Sequence, residues 1–209
     1  MVAIAFALSA ISARAAPPRQ VEIDYQLVAG GVLIATVQQR LEHDGRNYQL
    51  TENWKGKGAF ALKGNATRTS KGSIVADGLR PHQFEDRRTG REPVQASFDP
   101  AAKTPTLQRQ DQLSLFWTFT IKPPAKPVAV KVADGKHVAD YAYQPAGREK
   151  VRTPAGEFNA LKFVKKRDKP EDKATEVWIS TERQVPVRVL VIDKDGTRLD
   201  QVAVKISAQ

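Results

Sequence analysis

A chain of 209 residues, 41% of them hydrophobic, has the size of one domain and can bury a real core, which excludes global disorder. It contains no cysteine, so disulfides, cysteine-ligated zinc, thiol catalysis and a lipid-modified cysteine within this sequence are excluded. The formal charge of +10 attracts nucleic acid, anionic lipid or acidic partners without choosing among them.

The first predicted element is an export signal over residues 1–16. The apolar run from Val2 to Ile11 has the length of a signal-peptide core and is too short to span a bilayer. Ala13, Arg14 and Ala15 make a small-x-small cleavage pattern, followed by Ala16, Pro17 and Pro18, so cleavage is expected near Ala15 or Ala16. No Lys or Arg precedes the run, so either a basic leader is missing or the terminal amine serves in its place. The alternative is a buried first helix. Export would leave a single β-rich domain over residues 17–209 in the periplasm.

From Val21 the period is two. Val21, Ile23, Tyr25 and Leu27 alternate with Glu22, Asp24 and Gln26, which describes a half-buried strand. Gly30 and Gly31 break it, Val32 to Leu41 reads as a second strand, and Asp44-Gly45 as a tight turn. Tyr48, Leu50 and Trp54 share one face of a third. Asp-Gly recurs at Asp77-Gly78, Asp134-Gly135 and Asp195-Gly196, and supplies the positive φ that short hairpin turns need. Pro81 argues against a simple hairpin at Asp77-Gly78, while the other Asp-Gly pairs are flanked by strand-like runs.

Residues 110–119 depart from the alternation. A helix that Asp111 caps would align Leu113, Phe116 and Trp117, whereas a strand would align Leu113, Leu115, Trp117 and Phe119. The spacing favours a helix of two to three turns. Pro123, Pro124 and Pro127 then forbid regular structure. The expectation is a mainly β fold: a curled antiparallel sheet, an open or half barrel or spiral, of about ten strands with one or two short helices. A closed barrel and a two-sheet sandwich are the alternatives.

No catalytic, metal or cofactor motif emerges. His43, His82 and His137 lie beside turns without partners at ligand spacing, and Gly56-Lys57-Gly58 lacks the rest of a dinucleotide loop. Glu85-Asp86 and the acids from Asp168 to Asp172 are interleaved with Arg and Lys, as in solvated loops. Arg87, Arg88 and Arg91, and Lys165, Lys166, Arg167 and Lys169, form basic clusters without the interleaved aromatics of a nucleic-acid site. They read as wet hairpins, or as contacts for anionic head groups or an acidic envelope partner.

Tyr25 with Gly30-Gly31, the run from Asp77 to Pro81 with Phe84, Gln110 to Ser114, Thr153 to Phe158, and Val177 to Ile179 with Val185 to Arg188 follow in an order that carries a resemblance. They resemble a family of exported bacterial proteins known as a domain of unknown function, over about residues 20–206. The last two groups are also similar to the β-rich carriers that move lipoproteins through the periplasm. That likeness implies a half-open barrel with an apolar concave face that takes an acyl chain or apolar segment. It supplies no catalytic residues.

The aromatics are the remaining candidates. Trp54, Leu113, Phe116, Trp117, Phe119 and Trp178 either pack a plain core or wall an apolar groove. Val177 and Ile179 point to one face and Trp178 to the other. Val185, Val187, Val189 and Val191 form a stripe, and Pro186 belongs at an edge or at the start of pairing. The expectation is a non-catalytic, monomeric periplasmic protein that binds a lipid-like or envelope-derived ligand on the concave face of its sheet. Its partners would be that ligand, an envelope protein or an anionic membrane surface, not nucleic acid. A structural scaffold of the envelope with a self-filled core, or an enzyme acting on envelope polymers, is the alternative.

Overall fold

A computed structural model describes residues 18–209. The export signal expected over residues 1–16 lies outside them. The chain is mainly β, with strands β1 Gln20–Ala29, β2 Val32–His43, β3 Asn47–Gly56, β4 Asn65–Val75, β5 Gly78–Arg88, β6 Val94–Ser97 and β7 Gln110–Asp111. One helix follows, α1 Ser114–Ile121, and then β8 Val128–Ala133, β9 Val138–Thr153, β10 Gly156–Lys165, β11 Ala174–Ser180, β12 Pro186–Ile192 and β13 Arg198–Ala208. Two short 3-10 segments, Gly58–Lys63 and Thr106–Gln108, complete the described elements.

All 13 described strands form one sheet in the order β6-β5-β4-β3-β2-β1-β13-β12-β11-β10-β9-β8-β7. The expected curled sheet is present, with 13 strands in place of about ten. Among the described strands only β7 and β8 pair in parallel. Alternation produces the strands: Val21, Ile23 and Tyr25 are buried, and the residues between them are half-exposed. Register shifts at Asp24/Tyr25, Leu27/Val28, Lys71/Gly72, Leu161/Phe163 and Trp178/Ile179 add local twist and bend the ribbon. Its edges nearly meet. A Cβ on Gly135, in the β8–β9 turn, would stand 3.0 Å from Val94 Cγ2 at the start of β6.

Asp77-Gly78 behaves differently from the expectation that Pro81 raises. β4 and β5 are joined by a tight turn and pair fully. Pro81 lies opposite Gly72, beside the register shift that absorbs its missing N–H. Gly72 is required there, because a Cβ would stand 2.0 Å from Arg80 O. Pro186 opens β12, as expected, but the shift at Trp178/Ile179 breaks the valine stripe. Val187 packs with the first core cluster and Val189 with the second.

Inside the curl lies α1. The segment 110–119 is a two-residue strand, a turn and then this helix, so the helical reading holds from Ser114 onward. Asp111 accepts hydrogen bonds from Leu113 N (2.9 Å), Ser114 N (2.8 Å) and Ser70 Oγ (2.6 Å), which tie the helix entry to β4. The helix is apolar nearly all round and buried nearly all round. Both sequence spacings therefore lead indoors. Leu113 and Trp117 join Ile23, Tyr25, Leu41, Leu50 and Phe84, while Leu115 and Phe119 join Val130, Tyr143, Phe163, Val177 and Ile179.

Candidate functional site

Strand register builds a polar row into the mainly apolar inner face of β2 to β5. Gln39 stands opposite Glu52, Glu52 opposite Arg68, and Arg68 opposite Asp86. They are bonded in series. Trp117 Nε1 of α1 donates to Gln39 Oε1 (3.1 Å), and Gln39 Nε2 donates to Glu52 Oε2 (2.8 Å). Arg68 then donates to Glu52 Oε1 (2.9 Å) and Asp86 Oδ2 (3.2 Å). Arg88 closes the series on Asp86 with Nη2 at 2.7 Å from Oδ2. Glu52 and Asp86 are buried, and charge is tolerated there because each carboxylate has an arginine. Burial works to raise Asp86, but hydrogen bonds from Arg88 and the charge of Arg68 outweigh it and hold its carboxyl below the usual value. It is ionised at neutral pH and has no proton to give.

The row ends at an opening. A cavity of about 210 Å³ is lined by Trp54, Gly64, Asn65, Ala66, Arg68, Arg88, Thr89 and Arg91, with no carboxylate in its wall. A second, of about 590 Å³, lies in the seam between the sheet edges and is lined by Asp86, Arg88, Arg91, Glu92, Val94, Gln112, Asp134 and Lys136. Arg88 and Arg91 line both, so the two share a wall. Arg91 is exposed and forms no ion pair among the described residues. The arrangement offers guanidinium groups beside an indole, a surface for an anion with an attached apolar or planar part.

The residues expected to wall a groove are dispersed. Leu113, Phe116, Trp117 and Phe119 belong to α1 and its entry, and pack against the sheet. Phe119 lies 5.0 Å from Phe163 and 5.6 Å from Tyr143, ring centre to ring centre. The helix occupies the space these side chains surround. Trp178 lies on the opposite face of β11 from Val177 and Ile179, as alternation predicts. Lys162 and Arg188 cover its ring at 4.7 and 4.8 Å, and its indole N–H donates to Glu149. Trp54 stands at an opening. Of the first basic cluster, Arg87 pairs with Glu85 while Arg88 and Arg91 line the cavities. In the second, Lys165 stacks on Tyr141 at 4.6 Å, and Lys166 and Arg167 stand near Asp168 and Asp172. Among the described residues no group of His, Cys, Asp or Glu is placed to hold a metal ion.

Sequence reading missed Gln39, Glu52 and Arg68. Each is an ordinary polar residue in a strand, and only register reveals that they share the inner face. The phase of the third strand was the available signal, since Tyr48, Leu50 and Trp54 put Glu52 on their side.

Residues 20–202 match a family described as protein of unknown function (DUF3108). This bears out the resemblance to a family of that kind. No curated protein matches the sequence. Among solved structures, a candidate lipoprotein from Parabacteroides distasonis aligns at 11% identity, covering 91% of this chain and 97% of its own, with a TM-score of 0.46. A candidate exported protein with YmcC-like fold from Bacteroides fragilis aligns at 12%, covering 91% and 97%, with a TM-score of 0.43. An uncharacterised conserved protein from Thermus thermophilus aligns at 12%, covering 92% and 80%, with a TM-score of 0.39. Likeness at this level carries no functional argument.

Proposed function

The chain belongs to the DUF3108 family of proteins of unknown function, and from that premise we propose that it is a non-catalytic periplasmic binding protein for an anionic, partly apolar envelope component. The ligand sits at the mouth of the curled sheet, not in its bore. One observation carries this reading: Arg68, Arg88 and Arg91 converge with Trp54 on a cavity whose wall holds no carboxylate. Glu52 and Asp86 stand behind it and fix Arg68 and Arg88 in place, so little ordering entropy is lost when an anion arrives. Both carboxylates are already engaged by arginine, which supports binding over acid–base chemistry.

Isothermal titration with monomeric dihexanoyl phosphatidylglycerol and its phosphatidylcholine counterpart tests the proposal. Binding is expected for the anionic lipid alone, weakened about tenfold by Arg91→Ala, the loss of one charge-assisted contact, and also weakened by Trp54→Ala. A second reading has its own observation. The burial of α1 inside the curl favours an envelope scaffold with a self-filled core. Absence of heat with either lipid, together with a ligand-free native mass for protein taken from the periplasm, would favour the scaffold.

A further inference from the structure

Strand direction alternates along most of the sheet, so every second connection lies at the same end. The mouth end carries the turns at 30–31, 57–64, 89–93, 134–137, 166–173 and 193–197. The far end carries those at 44–46, 76–77, 154–155 and 181–185. The large hydrophobic residues exposed among the described residues are Val32 (63%), Leu33 (38%), Leu62 (93%) and Val138 (66%). Single exposed hydrophobics are ordinary on any protein. Here all of them project from, or sit next to, turns of the mouth end.

Two of these turns are adjacent. Lys57 N donates to Ile34 O (2.9 Å), which joins the 3-10 segment carrying Leu62 to the strand start carrying Val32 and Leu33. Neither residues 28–36 nor residues 53–67 contain Asp or Glu. Lys55 and Lys57 are exposed there and form no ion pair among the described residues. Further round the same end, Lys136, Lys166, Arg167 and Lys194 are exposed, interspersed with Asp134, Asp168, Asp193 and Asp195.

We infer that the mouth end is a membrane-docking surface, in which Leu62, Val32 and Leu33 enter the head-group layer of an anionic bilayer while Lys55 and Lys57 contact its phosphates. Charge selects the occupant, since an apolar tip flanked by unpaired lysines complements anionic lipid. Shape agrees. Separate aliphatic tips on a rim can all reach a fluid plane, but they offer no continuous patch of the size a stable protein interface needs. The inference does not depend on the ligand proposed above, because the tips and the arginine cavity share no residue.

The absence of native cysteine allows a local test. Leu62→Cys, Val32→Cys and, as far-end control, Arg183→Cys are each labelled with a polarity-sensitive fluorophore and mixed with vesicles. On equimolar phosphatidylglycerol and phosphatidylcholine, labels at 62 and 32 are expected to shift to the blue and brighten, and the label at 183 to stay unchanged. Pure phosphatidylcholine should give no shift. Each lysine near the surface is worth about fivefold in partitioning, so Lys55→Ala with Lys57→Ala should weaken it roughly 25-fold. High salt should weaken it as well. An unchanged label at 62 on anionic vesicles overturns the inference, and so does an equal shift at 183. A disulfide-linked dimer of unlabelled Leu62→Cys without any vesicle response would assign the tips to a second copy of the chain instead. Titration of monomeric lipid into Leu62→Asp separates the proposals: docking is lost and mouth binding is kept.

Discussion

Asp86 keeps 2% of its side chain in water and holds Arg68 and Arg88 together. Asp86→Ala removes the partner of both cations and leaves Arg68 with Glu52 alone. Breaking a fully buried pair costs about 3–5 kcal/mol, but Arg88 can turn to solvent, so a loss of roughly 2 kcal/mol is expected in urea unfolding. Asp111 works in the opposite sense. Burial pushes its carboxyl up to about 6, against hydrogen bonds from Ser70, Ser114 and Leu113 that pull it down. The unfolded chain has this group at about 3.9. The folded protein therefore binds the proton first, and ionised Asp111 costs stability at neutral pH. Acidification from pH 7 towards 5 should stabilise the protein through this group, with the gain complete below about 4. Asp44 and Asp86, both held low, act the other way. Their contribution is present above the unfolded value and is lost as pH falls through about 4 towards the folded values, about 2 for Asp44. A thermal-melting profile should peak in mildly acid buffer, and Asp111→Asn should flatten its limb between pH 5 and 7.

The β4–β5 hairpin shows what an element adds to its residues. Pro81 alone counts against strand pairing. Gly72 opposite it, with the neighbouring register shift, restores the pairing by letting the backbones approach. Gly72→Ala places a methyl group 2.0 Å from Arg80 O, so backbone has to move. A loss of roughly 2–3 kcal/mol is expected, visible as a lower urea midpoint with an unchanged slope. Asn47 to Gly56 illustrates what the sequence reveals. Period two places Tyr48, Leu50 and Trp54 on one face, and they are there. Glu52 has the same phase, but a single strand does not say that Arg68 stands across from it. The polar row needs the register of β2 through β5, a long-range property. The helix is the converse case: an apolar segment buried on nearly every side satisfies helical and strand spacings alike, so Leu113, Phe116, Trp117 and Phe119 could be recognised as interior but not as a wall or a plug.

At the scale of the molecule, alternation and Asp-Gly turns were enough to predict a curled antiparallel ribbon. The count was short where β6 and β7 are too brief to show a period. Closure was not legible, because the meeting of Gly135 with Val94 joins residues 41 positions apart through no local signal. The pairing of β1 with β13 has a testable consequence. It carries the sheet across the described ends of the chain: Gln20 N donates to Gln209 O at 3.2 Å and Gln209 N to Gln20 O at 2.9 Å. The middle of the sheet is therefore made by its first and last strands, and the open edges belong to β6 and β7 from mid-sequence. Loss of β13 would split the ribbon in two, exposing Ile23 and Tyr25 beside Val187 and removing the strand that joins β1 to β12. Joining Gln209 to Gln20 by a short flexible linker while opening the chain in the exposed turn at 167–172 leaves every strand pair intact. That permutant is expected to give the same β-dominated far-ultraviolet spectrum and a melting temperature within a few degrees of the parent, roughly the effect of 1 kcal/mol in a domain of this size. Deletion of residues 198–209 is expected to abolish the cooperative transition. A permutant that fails to fold while the truncated chain still melts cooperatively would mean that the two halves of the sheet stand independently and that β13 is an accessory strand.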